Sequence, residues 1–211
     1  MPITSIMLVE DHPIFRKGLA SLISTESIYQ IVGEAQNSAE AIEILSSKKP
    51  VLAIVDLKLG DEDGLELIKL LKSINPDLKI IVLSMSDERF YAERALKAGA
   101  LGYIMKEEAG IKVLNAIKTV LSGRIWLSDS EKERLSEYNL YSEDYSTSLK
   151  KLSDRQLQIF CLIGKGYGSL EISEKLNISR KTVDTHKENI KIKLNCNTSK
   201  DLRQLAIEFS I

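Results

Sequence analysis

The sequence predicts an α/β domain of five parallel strands covered by helices on both faces, followed by a smaller all-α domain. Three observations carry this. Across residues 1–122, short β-branched runs alternate with segments of helical period. Across residues 123–149 the alternation lapses into a polar stretch rich in Ser and Tyr, which reads as a linker. Across residues 150–211 only helical periodicity remains, and the charge balance changes sign.

In the first segment, strands are expected at Ser5 to Val9, Gln30 to Glu34, Val51 to Val55, Lys79 to Leu83 and Gly102 to Met105. Helices are expected between and after them, near Pro13 to Thr25, Ser38 to Lys48, Gly64 to Asn75, Glu88 to Ala98 and Ala109 to Ser122. Leu65, Ile68 and Leu71, and Leu67, Leu70 and Ile74, show the i, i+3, i+4 spacing of apolar helix faces. Parallel strands need such crossovers, so regular βα alternation implies a parallel sheet. The runs VLAIVD and KIIVLS are almost continuously apolar, as central strands buried on both faces require. They end on Asp56 and Ser84, and the first strand runs into Glu10 and Asp11. In open α/β sheets ligands bind at the carboxyl ends of the strands, so polar residues gather where a site belongs.

Within the linker, Ser128 with Glu131 and Ser130 with Glu133 both fit a capping box, predicting one short helix. Beyond it, Leu157, Phe160 and Ile163 give Asp154 to Gly164 an apolar face, and Gly164 and Gly166 mark its end. A short helix over Ser169 to Leu176 and the turn Asn177-Ile178-Ser179 lead to a longer helix, Arg180 to Leu194. Ser179 caps that helix, and Val183, Ile190 and Leu194 share one face. A last helix is expected over Ser199 to Phe209.

The net charge of −1 conceals an asymmetry: residues 150–211 carry 12 Lys and Arg against 7 Asp and Glu, a balance of +5 that leaves −6 on residues 1–149. Two domains with different partners follow, the basic one a nucleic-acid candidate. There is no apolar run long enough to span a membrane and no signal-peptide pattern, so a soluble cytoplasmic protein without a membrane partner is expected. Cys161 and Cys196 lack a CxxC pattern and any His at metal-ligand spacing, which makes them packing thiols of a reducing compartment.

Glu10, Asp11 and Asp56 converge if the first and third strands are neighbours, as in the flavodoxin-like order 2-1-3-4-5. Three adjacent carboxylates repel one another. A hard divalent cation such as Mg²⁺ offsets that charge, and Lys106, just past the fifth strand, supplies more. The ordered set Glu10-Asp11, Asp56, Ser84 and Lys106, with Tyr103 three residues before the lysine, resembles the receiver domain of two-component signalling over roughly residues 3–122. The resemblance implies that Asp56 accepts a phosphoryl group from a sensor histidine kinase. It further implies that Glu10, Asp11, an Asp56 oxygen and the backbone carbonyl of Lys58 hold Mg²⁺. Lys106 then neutralises phosphoryl charge, Ser84 hydrogen-bonds a phosphoryl oxygen, and Tyr103 is a switch that turns inward as that bond forms. Gly60 stands where the family often has Pro and is expected to loosen the loop, whereas Gly64 opens the next helix. His12 is read as structural. A phosphatase with an Asp nucleophile is the rival class; such enzymes typically carry a second Asp two residues later, where this chain has Lys58. A phosphoacceptor with slow self-dephosphorylation at most, rather than an enzyme, is expected.

The segment LSDRQLQIFCLIGKGYGSLEISEKLNISRKTVDTHKENIKIKL resembles the LuxR-type helix-turn-helix of the NarL/FixJ response regulators. The match includes Leu152, Arg155, Gly166, Glu171, Ile172, Leu176, Ser179, Thr182, Val183, His186, Ile190, Lys193 and Leu194. By that resemblance Arg180 to Leu194 is the recognition helix of a double-stranded DNA-binding domain, acting as a homodimer on an imperfect palindrome. Backbone contacts are expected from Lys181, Thr182, Lys187, Lys191 and Lys193, while His186 either touches phosphate or fills the helix interface. Asp184, Thr185 and Glu188 complete the expected DNA-facing set. Asp184 and Glu188 depart from positions that are often basic; they repel phosphates but can accept from a cytosine amino group. Gly168 replaces the usual capping Ser, leaving Ser169 as a shifted cap, and Gln156 and Gln158 stand where Glu is frequent. A phosphorylation-controlled protein-interaction module with weak or no specific DNA binding is the alternative function class.

Overall fold

Five parallel strands form one sheet in a computed structural model that describes residues 3–138, 149 and 151–209. They are β1 (Thr4–Val9), β2 (Tyr29–Ala35), β3 (Leu52–Asp56), β4 (Lys79–Ser84) and β5 (Gly102–Met105), in the spatial order β2-β1-β3-β4-β5. The order reverses between β1 and β3, which opens a crevice at their carboxyl ends. Helices α1 (Pro13–Ile23), α2 (Ser38–Lys48), α3 (Gly64–Ile74), α4 (Glu88–Ala98) and α5 (Ala109–Leu121) make the crossovers. Helices α1 and α5 pack together, and α3 packs with both α2 and α4. Ile80, Ile81 and Val82 are fully buried, as the apolar run KIIVLS requires; each such side chain stabilises by roughly 1.5–3 kcal/mol.

Register sets the crevice. Val9 pairs with Val55, Asp56 with Leu83 and Ser84 with Met105, so the residues that end β1, β3, β4 and β5 lie level. After β3 the chain forms a two-residue antiparallel ladder, Lys58–Leu59 against Glu62–Asp63, and enters α3 with Asp63 accepting from the Leu65 N–H at 2.9 Å. Gly64 is obligatory there. A Cβ would stand 2.4 Å from the Asp56 carbonyl oxygen and 2.5 Å from Leu57 Cα.

The chain divides into two compact units, Met1–Glu137 and Tyr138–Ile211. The first unit takes in the early part of the stretch read as linker. Trp126 lies beside β5, its N–H donating to Leu101 O at 2.9 Å and its carbonyl accepting from the Tyr103 N–H at 3.0 Å. Helix α6 (Asp129–Tyr138) follows, and Ser128 rather than Ser130 caps it, accepting from the Glu131 N–H at 3.2 Å. The rest of the expected linker, residues 139–148, lies outside the described residues.

In the second unit the helices are α7 (Asp154–Gly164), α8 (Ser169–Lys175), α9 (Arg180–Leu194) and α10 (Ser199–Glu208). Buried Leu157, Ile159, Phe160, Ile163, Ile172, Val183, Ile190 and Leu202 form its core. Gln156 completes a capping box with Ser153, which gives that departure from the family pattern a local role. One expectation is corrected: Ser169 is not the cap of α8. Gly168 is the capping residue: Glu171 Oε2 accepts its N–H at 2.8 Å, the half of a capping box that the N3 acid supplies, and glycine has no hydroxyl to make the other half. The left-handed Asn177 (φ 49°) sits in the tight turn that connects α8 to α9.

Candidate phosphoacceptor site and nucleic-acid interface

Because Val9 lies opposite Val55, the next residues, Glu10 and Asp56, meet at the sheet's carboxyl edge. Both are buried, at 2% and 3% exposure. Lys106 reaches over from the end of β5, its Nζ 2.7 Å from Asp56 Oδ2 and 2.7 Å from Glu10 Oε2. The same ammonium stands 4.8 Å from the centre of the Phe15 ring. Candidate ligand atoms of Glu10, Asp11, His12 and Asp56 all lie within 4.8 Å of one another. Three carboxylates so placed, with protein N–H groups already orienting them, fit a hard divalent cation that takes a few carboxylate oxygens. His12 holds the corner: its backbone N–H donates to Glu10 Oε1 at 3.1 Å, and its Nδ1 lies 2.7 Å from Asp11 Oδ1.

Burial pushes the Asp56 carboxyl up to about 6, against the opposing pull of the Lys106 ammonium and the Lys58 N–H, which donates to Asp56 Oδ1 at 3.1 Å. Burial draws the Lys106 ammonium down, yet Asp56 and Glu10 outweigh it and hold it above its ordinary value. The loop after Asp56 is anchored, not loosened, by Gly60. Its N–H donates to Asp11 Oδ2 at 2.9 Å from a left-handed conformation (φ 58°), and proline could supply neither. Arg16, unremarked in the sequence because a lone helical arginine carries no signal, donates from Nη1 to the Glu10 carbonyl and sits 3.2 Å from Glu34 Oε2.

Ser84 and Tyr103 are both buried at 1% exposure and meet at a residue that the sequence did not single out. The Ser86 N–H donates to Ser84 Oγ at 3.0 Å, and the Tyr103 hydroxyl donates to the Ser86 carbonyl at 2.7 Å. Tyr103 is thus turned inward, and burial raises its pKa well above the ordinary phenol value.

On α9 the expected DNA-facing residues separate into two groups. Lys181, Thr182, Asp184, Thr185 and Glu188 are exposed. Thr185 directs its hydroxyl to the Lys181 carbonyl at 2.9 Å, and Thr182 lies 2.8 Å from Ser179 Oγ. The remaining lysines are only half-exposed and hold local partners: Lys187 donates to Ser169 Oγ at 3.1 Å, Lys193 to Gln156 Oε1 at 2.7 Å, and Lys191 pairs with Glu188 at 2.8 Å. His186 is half-buried, with Nδ1 shielded from solvent; burial, aided by Arg155, lowers its pKa. That favours the interface role over phosphate contact. Arg155 itself bonds Gln158 Oε1 at 2.9 Å and the Leu176 carbonyl at 2.7 Å, bracing the turn before α9. Among the described residues, no helix is long and apolar enough to cross a membrane.

Comparison with known proteins agrees with this division. Residues 6–118 match the response regulator receiver domain, and residues 150–206 match the bacterial regulatory proteins of the luxR family. A transcriptional regulator of Pseudomonas aeruginosa is 34% identical over 92% of this chain and 93% of its own length. The oxygen regulatory protein NreC of Staphylococcus aureus is 32% identical over 96% of each chain. Among solved structures, RcsB of Salmonella typhimurium covers 100% of both chains at 26% identity with a TM-score of 0.68. An RcsB–DNA complex is similar at 25% identity, covering 99% of both chains with a TM-score of 0.60. The chain belongs to the NarL/FixJ family of response regulators, in which a receiver domain is followed by a LuxR-type helix-turn-helix domain.

Proposed function

We propose that this response regulator takes a phosphoryl group from the phosphohistidine of a sensor histidine kinase onto Asp56 and, so modified, binds double-stranded DNA as a homodimer to control transcription. The observation that carries the reading is the Lys106 ammonium held 2.7 Å from both Asp56 and Glu10 at the switch point of the sheet. A carboxylate oxygen of Asp56 bonds to phosphorus as the P–N bond to the donor imidazole breaks. Lys106 is placed to offset the charge on the phosphoryl oxygens, in a transfer governed by positioning and electrostatics. Glu10, Asp11 and Asp56, with the Lys58 carbonyl, would hold Mg²⁺, whose chemistry is charge neutralisation and orientation of the phosphoryl group. The chain acts as a phosphoacceptor rather than as a turnover enzyme, in the cytoplasm. Exposed Lys181, Thr182, Asp184, Thr185 and Glu188 on α9 support a groove-facing surface, and the DNA complex of the related RcsB supports the partner. Incubation with acetyl phosphate and Mg²⁺ tests the reading. Acid-labile label should appear on the native chain and vanish in Asp56→Asn, and persistent full labelling of the variant would overturn it.

A further inference from the structure

One carboxylate ties the loop after β4 to the helix that follows the receiver. Glu88, the first residue of α4, accepts the backbone N–H of Ser128 at 3.0 Å. The acceptor for that cap N–H thus comes from another helix, the role that a capping box gives to an acid three residues along the same one. Just upstream, Leu127 is buried and Trp126 is hydrogen-bonded to Tyr103 of β5 and to Leu101, the residue before that strand. The start of α6 is therefore fastened to two elements, α4 and β5, and these carry the neighbours of Ser84 and Tyr103.

The loop between Ser84 and Glu88 is itself held by that pair. Ser86 gives its N–H to Ser84 Oγ at 3.0 Å and receives the Tyr103 hydroxyl on its carbonyl at 2.7 Å. Ser86 precedes Glu88 by two residues, a span of at most about 7 Å. Movement of Ser84, or departure of Tyr103, thus displaces the segment that positions the Glu88 carboxylate. Helix α6 is sensitive to this because it has only 10 residues, fewer than the ~12–15 at which an isolated helix becomes even marginal in water. A charge-assisted bond at its N-terminus, where the helix dipole also favours an anion, helps to hold its first turn.

We propose that Glu88 is a latch that reports the state of the Ser84–Tyr103 pair to α6. With Tyr103 inward on Ser86, Glu88 is held against Ser128 and the first turn of α6 is fixed; when Tyr103 leaves, the bond is lost and that turn frays. This rests on the response-regulator reading above. The receiver resemblance implies that Tyr103 turns inward as Ser84 bonds a phosphoryl oxygen, so phosphorylation closes the latch.

Amide hydrogen exchange over residues 128–132 of the full chain, with and without acetyl phosphate and Mg²⁺, tests it, alongside acid-labile labelling of Asp56 in the same samples. Labelled native protein should exchange about tenfold more slowly there than unlabelled protein, within the 5- to 150-fold range usual for coupled sites. Glu88→Ala should accept the label as well as the native chain but show no slowing. Glu88→Gln keeps an acceptor oxygen and should retain most of it. Labelled native protein with unchanged exchange, or Glu88→Ala that keeps the full slowing, overturns the latch and leaves the response-regulator reading intact. Absence of any label on the native chain overturns that reading, and the latch with it.

Discussion

Lys106 Nζ lies 2.7 Å from Asp56 Oδ2, with the two side chains 8% and 3% exposed. A buried pair of this kind is costly to break from one side, because the partner is left charged and unsolvated. Lys106→Ala should therefore lower stability by about 3–5 kcal/mol at pH 7 in urea unfolding without Mg²⁺. It should also uncouple DNA binding from acetyl phosphate treatment, as read by fluorescence anisotropy.

The Asp56 carboxyl has a pH signature of the opposite sign to an ordinary salt-bridged acid. Its folded pKa, about 6, lies above the unfolded 3.8, so the folded state binds the extra proton. The stabilisation is complete below 3.8 and is lost as pH rises through 6, by about 3 kcal/mol at most. Without Mg²⁺, native stability should show this fall between pH 4 and 7, and Asp56→Asn should flatten it. An unchanged slope in the variant would refute the assignment.

Gly64 tests the register of the site. Its replacement by Ala drives a methyl group onto the Asp56 carbonyl and the Leu57 backbone, neither of which is the flexible end of a side chain. We expect a loss of about 1–3 kcal/mol in urea unfolding and slower acid-labile labelling of Asp56.

Salt dependence should separate the lysines of α9. Lys181 is exposed, and Lys181→Ala should reduce the slope of log K against log salt by about 1. Lys193 holds Gln156, so Lys193→Ala should lower the thermal midpoint and change the slope less. Equal slopes for the two variants would reject the division.

Asp184 and Glu188 are one helical turn apart, with side chains 53% and 65% exposed. The pairing of Asp184 with Arg180, at 3.9 Å and with both side chains exposed, is a surface ion pair of little energetic weight, which leaves that carboxylate available to a groove, whereas Glu188 pairs with the less exposed Lys191 at 2.8 Å. Selection from random duplexes should enrich sites with cytosine beneath Asp184. Asp184→Asn should relax that preference at one position at a cost of about 1–3 kcal/mol in discrimination. An identical selected motif for the variant would show that Asp184 does not read bases.

Much of this protein was legible in one dimension. Apolar runs in β3 and β4, helical spacing in α3 and polar residues at strand ends are local properties, and they sufficed for the parallel α/β class and the two-domain plan; the strand order, and with it the meeting of Glu10, Asp56 and Lys106, came from the likeness to flavodoxin-like receiver domains. What local pattern cannot encode is which distant groups share a hydrogen bond. The reach of Arg16 to Glu10, the hold of Ser84 and Tyr103 on Ser86, the Gly60 tether to Asp11, and the Glu88 bond to Ser128 all join residues whose types are individually unremarkable. Gly168 shows the same limit at short range: the sequence offers Ser169 as a cap, but in the fold Gly168 takes that place with its N–H on Glu171, and the Ser169 hydroxyl accepts from Lys187. Lys187 and Lys193 show it on α9: helical spacing marks them as polar, but only the packing of α9 beside Ser169 and Gln156 gives their ammonium groups these local partners. Periodicity follows from covalent geometry and burial, whereas partner choice is fixed only when the folded chain brings donors and acceptors within about 3 Å of each other.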